Sequence, residues 1–114
     1  MSNCIFCKIA NHEIPAAVVY EDEKVIAFKD INPAAPVHVL VVPKVHIDNL
    51  ESIDENNVSV LADIHLAIKK VAEICGLAKS GYRIINNCGK DAGQTVFHIH
   101  YHVLGGKDLG PKII

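Results

Sequence analysis

Phe97-His98-Ile99-His100-Tyr101-His102-Val103-Leu104 carries three histidines at alternate positions near the end of the chain. The stretch from Val96 to Leu104 is rich in β-branched and aromatic residues and predicts a strand. Successive side chains of a strand point to opposite faces. His98, His100 and His102 therefore share one face, while Ile99, Tyr101 and Val103 line the other. Three imidazoles in a row fill a core poorly, so that face belongs to chemistry. Immediately upstream, Gly89-Lys90-Asp91-Ala92-Gly93-Gln94-Thr95 is a loop whose glycines let backbone N–H groups approach an anion. Histidines beside such a loop point to phosphorus chemistry.

Outward from this segment, Gly81 to Asn87 predicts a further strand. Ser52-Ile53-Asp54-Glu55 has the form of a capping box. It opens a helix running to about Cys75, with Gly76 just past its end. Val58, Leu61, Ile64, Ile68, Val71 and Cys75 recur at three- and four-residue intervals and make one apolar stripe. Ala62, Ala67 and Ala72 beside it widen the face beyond what one sheet needs, which favours a second copy of the chain as partner. His65 lies at the stripe's edge as a solvated or interface residue. Val37 to Val42, apolar apart from His38, reads as a central strand covered on both faces and ended by Pro43. Ala16 to Tyr20 and Lys24 to Lys29 flank an acidic turn and read as a hairpin. Cys4 to Ala10 is a short apolar turn or helix. This order predicts one α+β domain over residues 1–114: a five-stranded antiparallel sheet, one long helix on one face and a short N-terminal helix.

Composition narrows the function. Half of the 114 residues are hydrophobic and 21% are charged, enough for one core and inconsistent with disorder. The formal charge is −2 with no basic cluster, which argues against nucleic-acid binding through phosphate neutralisation. The start has no charged-then-apolar leader, and no apolar run approaches the roughly 20 residues that span a bilayer. The expected location is cytoplasmic, with no membrane partner. In that compartment the four cysteines are thiols or metal ligands rather than disulfides. Cys75 and Cys88 read as small buried or half-buried residues.

The histidine strand allows two chemistries. Alternating histidines bind metal with an open position, or one imidazole is a nucleophile whose second nitrogen is held by a hydrogen bond while its neighbours bind phosphate. Gly93-Gln94-Thr95 offers amide and hydroxyl donors and no carboxylate to act as a hydrolytic base. Those donors suit phosphate oxygens better than a metal-bound water.

His98-Ile99-His100-Tyr101-His102-Val103-Leu104 resembles the His-φ-His-φ-His-φ-φ motif of the histidine triad (HIT) superfamily. Phe6-x2-Ile9, Glu13-Ile14-Pro15, Ala27-Phe28-x-Asp30-Ile31-x-Pro33, Ala35-Pro36-x-His38, Pro43-Lys44-x-His46 and Gly93-Gln94-x-Val96 resemble its purine nucleoside phosphoramidase branch. The likeness runs from Cys4 to Gly106. It implies that His100 attacks the α-phosphorus to give a nucleotidyl-histidine, and that the carbonyl of His98 aims its reactive nitrogen. It further implies that His102 contacts phosphate and the leaving amine, and that His38 fixes the triad from behind. Asn87, Gly93, Gln94 and Thr95 would bind phosphate, Asp30 the ribose hydroxyls, and Phe6, Ile9, Ile14, Phe28 and Ile31 the base. Read from the residues alone, Asp30 also reads as a turn cap, His38 as a core histidine, and Phe6, Ile9 and Ile14 as ordinary core.

A lone Cys4-x2-Cys7 fits a redox pair, free thiols or half a zinc site. Metal-containing members of the superfamily join such a pair to positions resembling His46 and His98. The resemblance thus implies a structural zinc held by Cys4, Cys7, His46 and His98. It also implies a two-fold homodimer paired through the long helix and a neighbouring strand. The expected reaction is hydrolysis of the P–N bond of adenosine 5′-phosphoramidates to a purine mononucleotide. Dinucleoside polyphosphate hydrolysis is the alternative within catalysis, and a nucleotide-binding regulatory module the alternative outside it. The C-terminal Gly105–Lys112 segment lacks the tryptophan of some members, so it leaves the leaving group open.

Overall fold

Val37–Pro43, apolar apart from His38, forms the middle strand of a five-stranded antiparallel sheet in this computed structural model, which describes residues 3–114. In chain order the elements are α1 (Ile5–Ala10), β1 (Val18–Glu21), β2 (Val25–Lys29), β3 (Val37–Pro43), α2 (Ser59–Ile74), β4 (Arg83–Ile85) and β5 (Tyr101–Gly105). The sheet runs β1-β2-β3-β5-β4. Alternation along β2 and β3 sends Val25, Ala27, Val39 and Val41 to one face, where Ile64, Ala67, Ile68 and Val71 of α2 cover them. Ile26, Phe28, Leu40 and Val42 go to the other face, against Phe6, Ile9 and Ala10 of α1. Ile26, Ile64 and Ile99 are fully buried, and burying such a side chain contributes about 1.5–3 kcal/mol. The short α1 covers only part of its face. His38 and His102 lie on the rest of it.

The hairpin, the central strand and the end of α2 agree with expectation. Gly76 adopts φ 73° just past α2, and the N–H groups of Gly76 and Leu77 return to the carbonyls of Glu73 and Ala72 at 3.2 and 2.8 Å. That is a Schellman ending. Cys75 and Cys88 are half-buried.

Three expectations need correction. The histidine strand begins at Tyr101, not Val96. Pro43 of β3 has no N–H to extend the ladder, and its carbonyl accepts the His98 ring N–H at 2.7 Å. The Ile99 N–H goes to the Ile47 carbonyl instead, at 2.6 Å. Side-chain alternation nevertheless persists: Tyr101 and Val103 pack on the α2 side, and Ile99 packs on Ile47 and Val60.

The long helix opens at Ser59, so the Ser52–Glu55 capping box does not form. Asn57 Oδ1 accepts the Asp54 N–H at 2.7 Å and Asp54 Oδ1 accepts the Asn56 N–H at 2.8 Å. These local bonds satisfy amides that a helix would otherwise have to satisfy. Third, the buried stripe contains Val60, Ala67 and Ala72 while Val58 is exposed. Ala67 and Ala72 therefore serve this chain's own core, and only Ala62 of the three alanines faces solvent. His65 is exposed, edge-on to Tyr101.

Candidate active site

His38 and His102 sit on adjacent strands on the face opposite α2. His38 Nδ1 accepts the Ala34 backbone N–H at 3.0 Å. A nitrogen that accepts carries no proton in neutral imidazole, so the proton of His38 is on Nε2. That N–H donates to His102 Nδ1 at 2.9 Å, which leaves the proton of His102 on its own Nε2. The backbone of Ala34 thereby turns His102 into a donor.

His100 is set the other way. Its Nδ1–H donates to the His98 carbonyl at 2.8 Å, so Nε2 presents a lone pair. The ring is buried and lies edge-on to Phe6, with centroids 5.1 Å apart. Burial pushes the His100 imidazole below its ordinary pKa, partly offset by the His98 carbonyl and the Asp30 charge. Burial also lowers His102, to about 4, helped by repulsion from His100 and His38. Both are neutral at pH 7. A ring presenting a lone pair and a ring presenting an N–H therefore stand side by side, centroids 5.3 Å apart.

The His98 ring points away from this pair. It is fully buried, and its Nε2–H is spent on the Pro43 carbonyl. Its Nδ1 lies 3.3 Å from Cys4 Sγ and 3.5 Å from Cys7 Sγ. His46 Nδ1 lies 3.3 Å from Cys7 Sγ, and its Nε2–H donates to Asp48 Oδ1 at 2.9 Å. The four donor atoms lie within 4.8 Å of one another. Tetrahedral zinc with two sulfur and two nitrogen ligands spaces sulfur from nitrogen by roughly 3.5 Å. Both imidazoles have the outer N–H anchored on an oxygen and the inner lone pair turned to the sulfurs, as metal-ligating histidines do. The donor set fits zinc. Without a cation, burial first and then the hydrogen bond with Cys4 push the Cys7 thiol up to about 11.

Asp30, His38 and His102 also cluster closely enough to hold a metal, but their tautomers forbid it. The Nε2 of His38 bears the proton given to His102, so it has no lone pair for a cation. Asp30 Oδ1 caps the Asn32 N–H at 2.8 Å, and Oδ2 lies 3.4 Å from His38 Nε2. Asp30 is thus a turn cap with one oxygen directed at the histidines.

The loop differs from expectation at Gln94. This residue is buried, and its Oε1 accepts from the Gly89 N–H at 2.8 Å and Asn49 Nδ2 at 3.2 Å. Its Nε2 donates to the carbonyls of Asp48 at 2.8 Å and Val96 at 3.0 Å. Protein groups take both of its donors, so the side chain holds the loop and has none left for phosphate. Asn87 Nδ2 donates to the Ala92 carbonyl at 2.8 Å and braces the same loop. Gly93 ends it at φ 81°, where a side chain would be strained. Thr95 is exposed. Sequence reasoning missed Asn86, whose Nδ2 donates to the His100 carbonyl at 2.9 Å, and Asp48 and Asn49. The only signals for these were a second amide beside Asn87 and an aspartate two residues past His46.

Phe6, Ile9 and Phe28 are buried in the α1 cluster with Ile14 packed at its edge. Ile31, expected beside them, is 91% exposed on the Asp30 turn.

This arrangement matches a known pattern. The HIT domain family model fits residues 11–109. The chain belongs to the HIT family. The HIT match takes in His38, His46, the glycine loop and the histidine triad, whereas Cys4 and Cys7 precede it. Among relatives, Protein HitA of Neisseria gonorrhoeae is 49% identical over 105 residues, 92% of this chain and 97% of that one. A protein of Escherichia coli named purine nucleoside phosphoramidase is 42% identical over 109 residues, covering 96% and 92% of the two chains. A HIT family hydrolase from Clostridium thermocellum superposes with a TM-score of 0.97 at 62% identity, over 100% of this chain and 99% of its own. A histidine triad protein from Clostridium difficile gives 0.95 at 52% identity, over 98% and 97%.

Proposed function

We propose that this HIT chain, acting as one domain, is a hydrolase that cleaves the P–N bond of purine nucleoside 5′-phosphoramidates, adenosine preferred. The observation that carries this reading is the His100 Nδ1–H bond to the His98 carbonyl, which leaves Nε2 free to attack. The name of the Escherichia coli relative supports the substrate class. In the first step Nε2 of His100 bonds to the α-phosphorus as the P–N bond breaks. The departing nitrogen accepts a hydrogen bond from Nε2–H of His102 and leaves as the amine with a proton supplied by solvent. In the second step water displaces His100 from phosphorus and gives that proton back to solvent, releasing the purine mononucleotide. His38 fixes the tautomer of His102 throughout.

Asp30 accepts the ribose hydroxyls through Oδ2, since Oδ1 is engaged by the turn. Ile14, Phe28 and Ile31 flank the base, with Phe6 and Ile9 behind them. Thr95 donates to the phosphate with the Gly93 turn, and Asn87 and Gln94 keep the loop in shape. Cys4, Cys7, His46 and His98 would hold zinc, which contributes folding energy at a site closed by protein ligands. The expected setting is a cytoplasmic homodimer. Among the described residues no helix is long and apolar enough to cross a membrane.

The test is turnover of an adenosine 5′-phosphoramidate beside a diadenosine polyphosphate. AMP released from the first and not the second supports the reading. Preference for the polyphosphate moves the chain to the sister activity, and binding without turnover makes it a nucleotide-binding module.

A further inference from the structure

His100 lies just past the end of both ladders that hold β5. Pairing with β3 reaches only as far as Val41 opposite Tyr101, and pairing with β4 only as far as Ile85 opposite His102. The His100 carbonyl is therefore left without a strand partner next to a buried ring. A buried carbonyl in that position needs a donor. Asn86, the first residue after β4, supplies one at 2.9 Å from its side chain.

The other ties on this segment act elsewhere. The imidazole bond to the His98 carbonyl joins two parts of the same segment, so it moves with it. The His98 ring and the Ile99 N–H fasten the segment to Pro43 and Ile47, on the side of the cysteine cluster. Asn86 fastens it on the side of the glycine loop. Its neighbour Asn87 holds that loop, through the Ala92 carbonyl at 2.8 Å. Consecutive side chains of extended backbone diverge, so one residue reaches the nucleophile's main chain and the next reaches the loop.

We propose that Asn86 is a positioning residue: its amide fixes the main chain of His100 relative to the loop braced by Asn87. It thereby sets the distance from His100 Nε2 to a phosphorus held at that loop. The proposal rests on the reading of His100 as nucleophile. Asn86 touches no reacting atom and acts only through His100.

Two substitutions separate positioning from plain stability. Asn86→Asp keeps the shape but sets an oxygen against the His100 carbonyl, and Asn86→Leu keeps the volume without a donor. Misplacing a nucleophile by a fraction of its reach lowers the rate steeply, so kcat should fall roughly 10- to 100-fold. KM and the AMP Kd should stay within about two-fold, because no substrate contact is lost. Wild-type kcat in either folded variant would overturn the proposal. The wild-type protein gives a second readout independent of turnover. A scalar coupling across the hydrogen bond, from the Asn86 side-chain nitrogen to the His100 carbonyl carbon, should be measurable by NMR. Its absence would also overturn the proposal. A wild-type protein that shows the coupling but cleaves no phosphoramidate would instead refute the proposed function.

Discussion

The backbone of His98 and its side chain serve different neighbours. The ring faces two sulfurs, while the carbonyl accepts the His100 Nδ1–H at 2.8 Å and leaves a lone pair on Nε2 of that ring. His102 has the opposite tautomer and is neutral at pH 7. Its pKa falls from an ordinary 6.5 to about 4 on folding, so below 6.5 the unfolded chain binds more protons than the folded one. Stability from this group is complete above pH 6.5 and is lost as pH falls toward 4. Urea midpoints at pH 7 and pH 5 should differ less in His102→Gln than in the wild type. An equal loss in both would remove His102 as the cause. Gln94 makes a second case. Gln94→Leu strands the Gly89 N–H and two carbonyls and should cost about 3 kcal/mol of stability by urea denaturation. A phosphate ligand would instead lose nucleotide affinity at unchanged stability. The triad was legible in the sequence because alternation needs no partner. The role of Gln94 was not, since two of its four partners lie on Asp48 and Asn49, far away in the chain.

Among the elements, α1 is short and depends on what it joins. Cys4 caps it by accepting the Cys7 N–H at 3.3 Å, and both sulfurs face His98. A zinc ion there would pin α1 to the segment that carries His100. Protein purified without chelator should contain one zinc per chain, and its removal should lower the Tm while leaving measurable turnover. Metal-free protein with Cys4 and Cys7 freely alkylated in the folded state would return them to plain thiols. The start of α2 was misjudged because a capping-box pattern says nothing of competing Asx turns, and Asp54 and Asn57 form them. The early start expected for the histidine strand failed for a related reason. Strand propensity sits in Val96–Leu104, but the ladder stops where Pro43 stops it.

At the scale of the whole molecule, sheet, helix side and histidine face follow from three alternating strands and one amphipathic stripe, all legible in the sequence. Two of the three alanines expected to widen a dimer face, Ala67 and Ala72, serve the chain's own core instead, and only Ala62 faces solvent. Leu66 and Ile74 of α2 are 64% and 57% exposed, and Ile84 on the short edge strand β4 is 40% exposed. An unpaired apolar edge invites a partner, and an isologous contact would cover helix and edge together. Light scattering at micromolar concentration should give a mass near twice 12.4 kDa. A stable monomer would rule the dimer out.

The nucleophilic role of His100 is the centre of the account, and rapid quenching with an adenosine phosphoramidate tests it most directly. Wild-type protein should carry an adenylyl group on His100 in the quenched sample. His100→Ala should show none, bind AMP nearly as well, and lose roughly 10⁴-fold or more in turnover. An adduct on another residue, or near-normal turnover by His100→Ala, would contradict it.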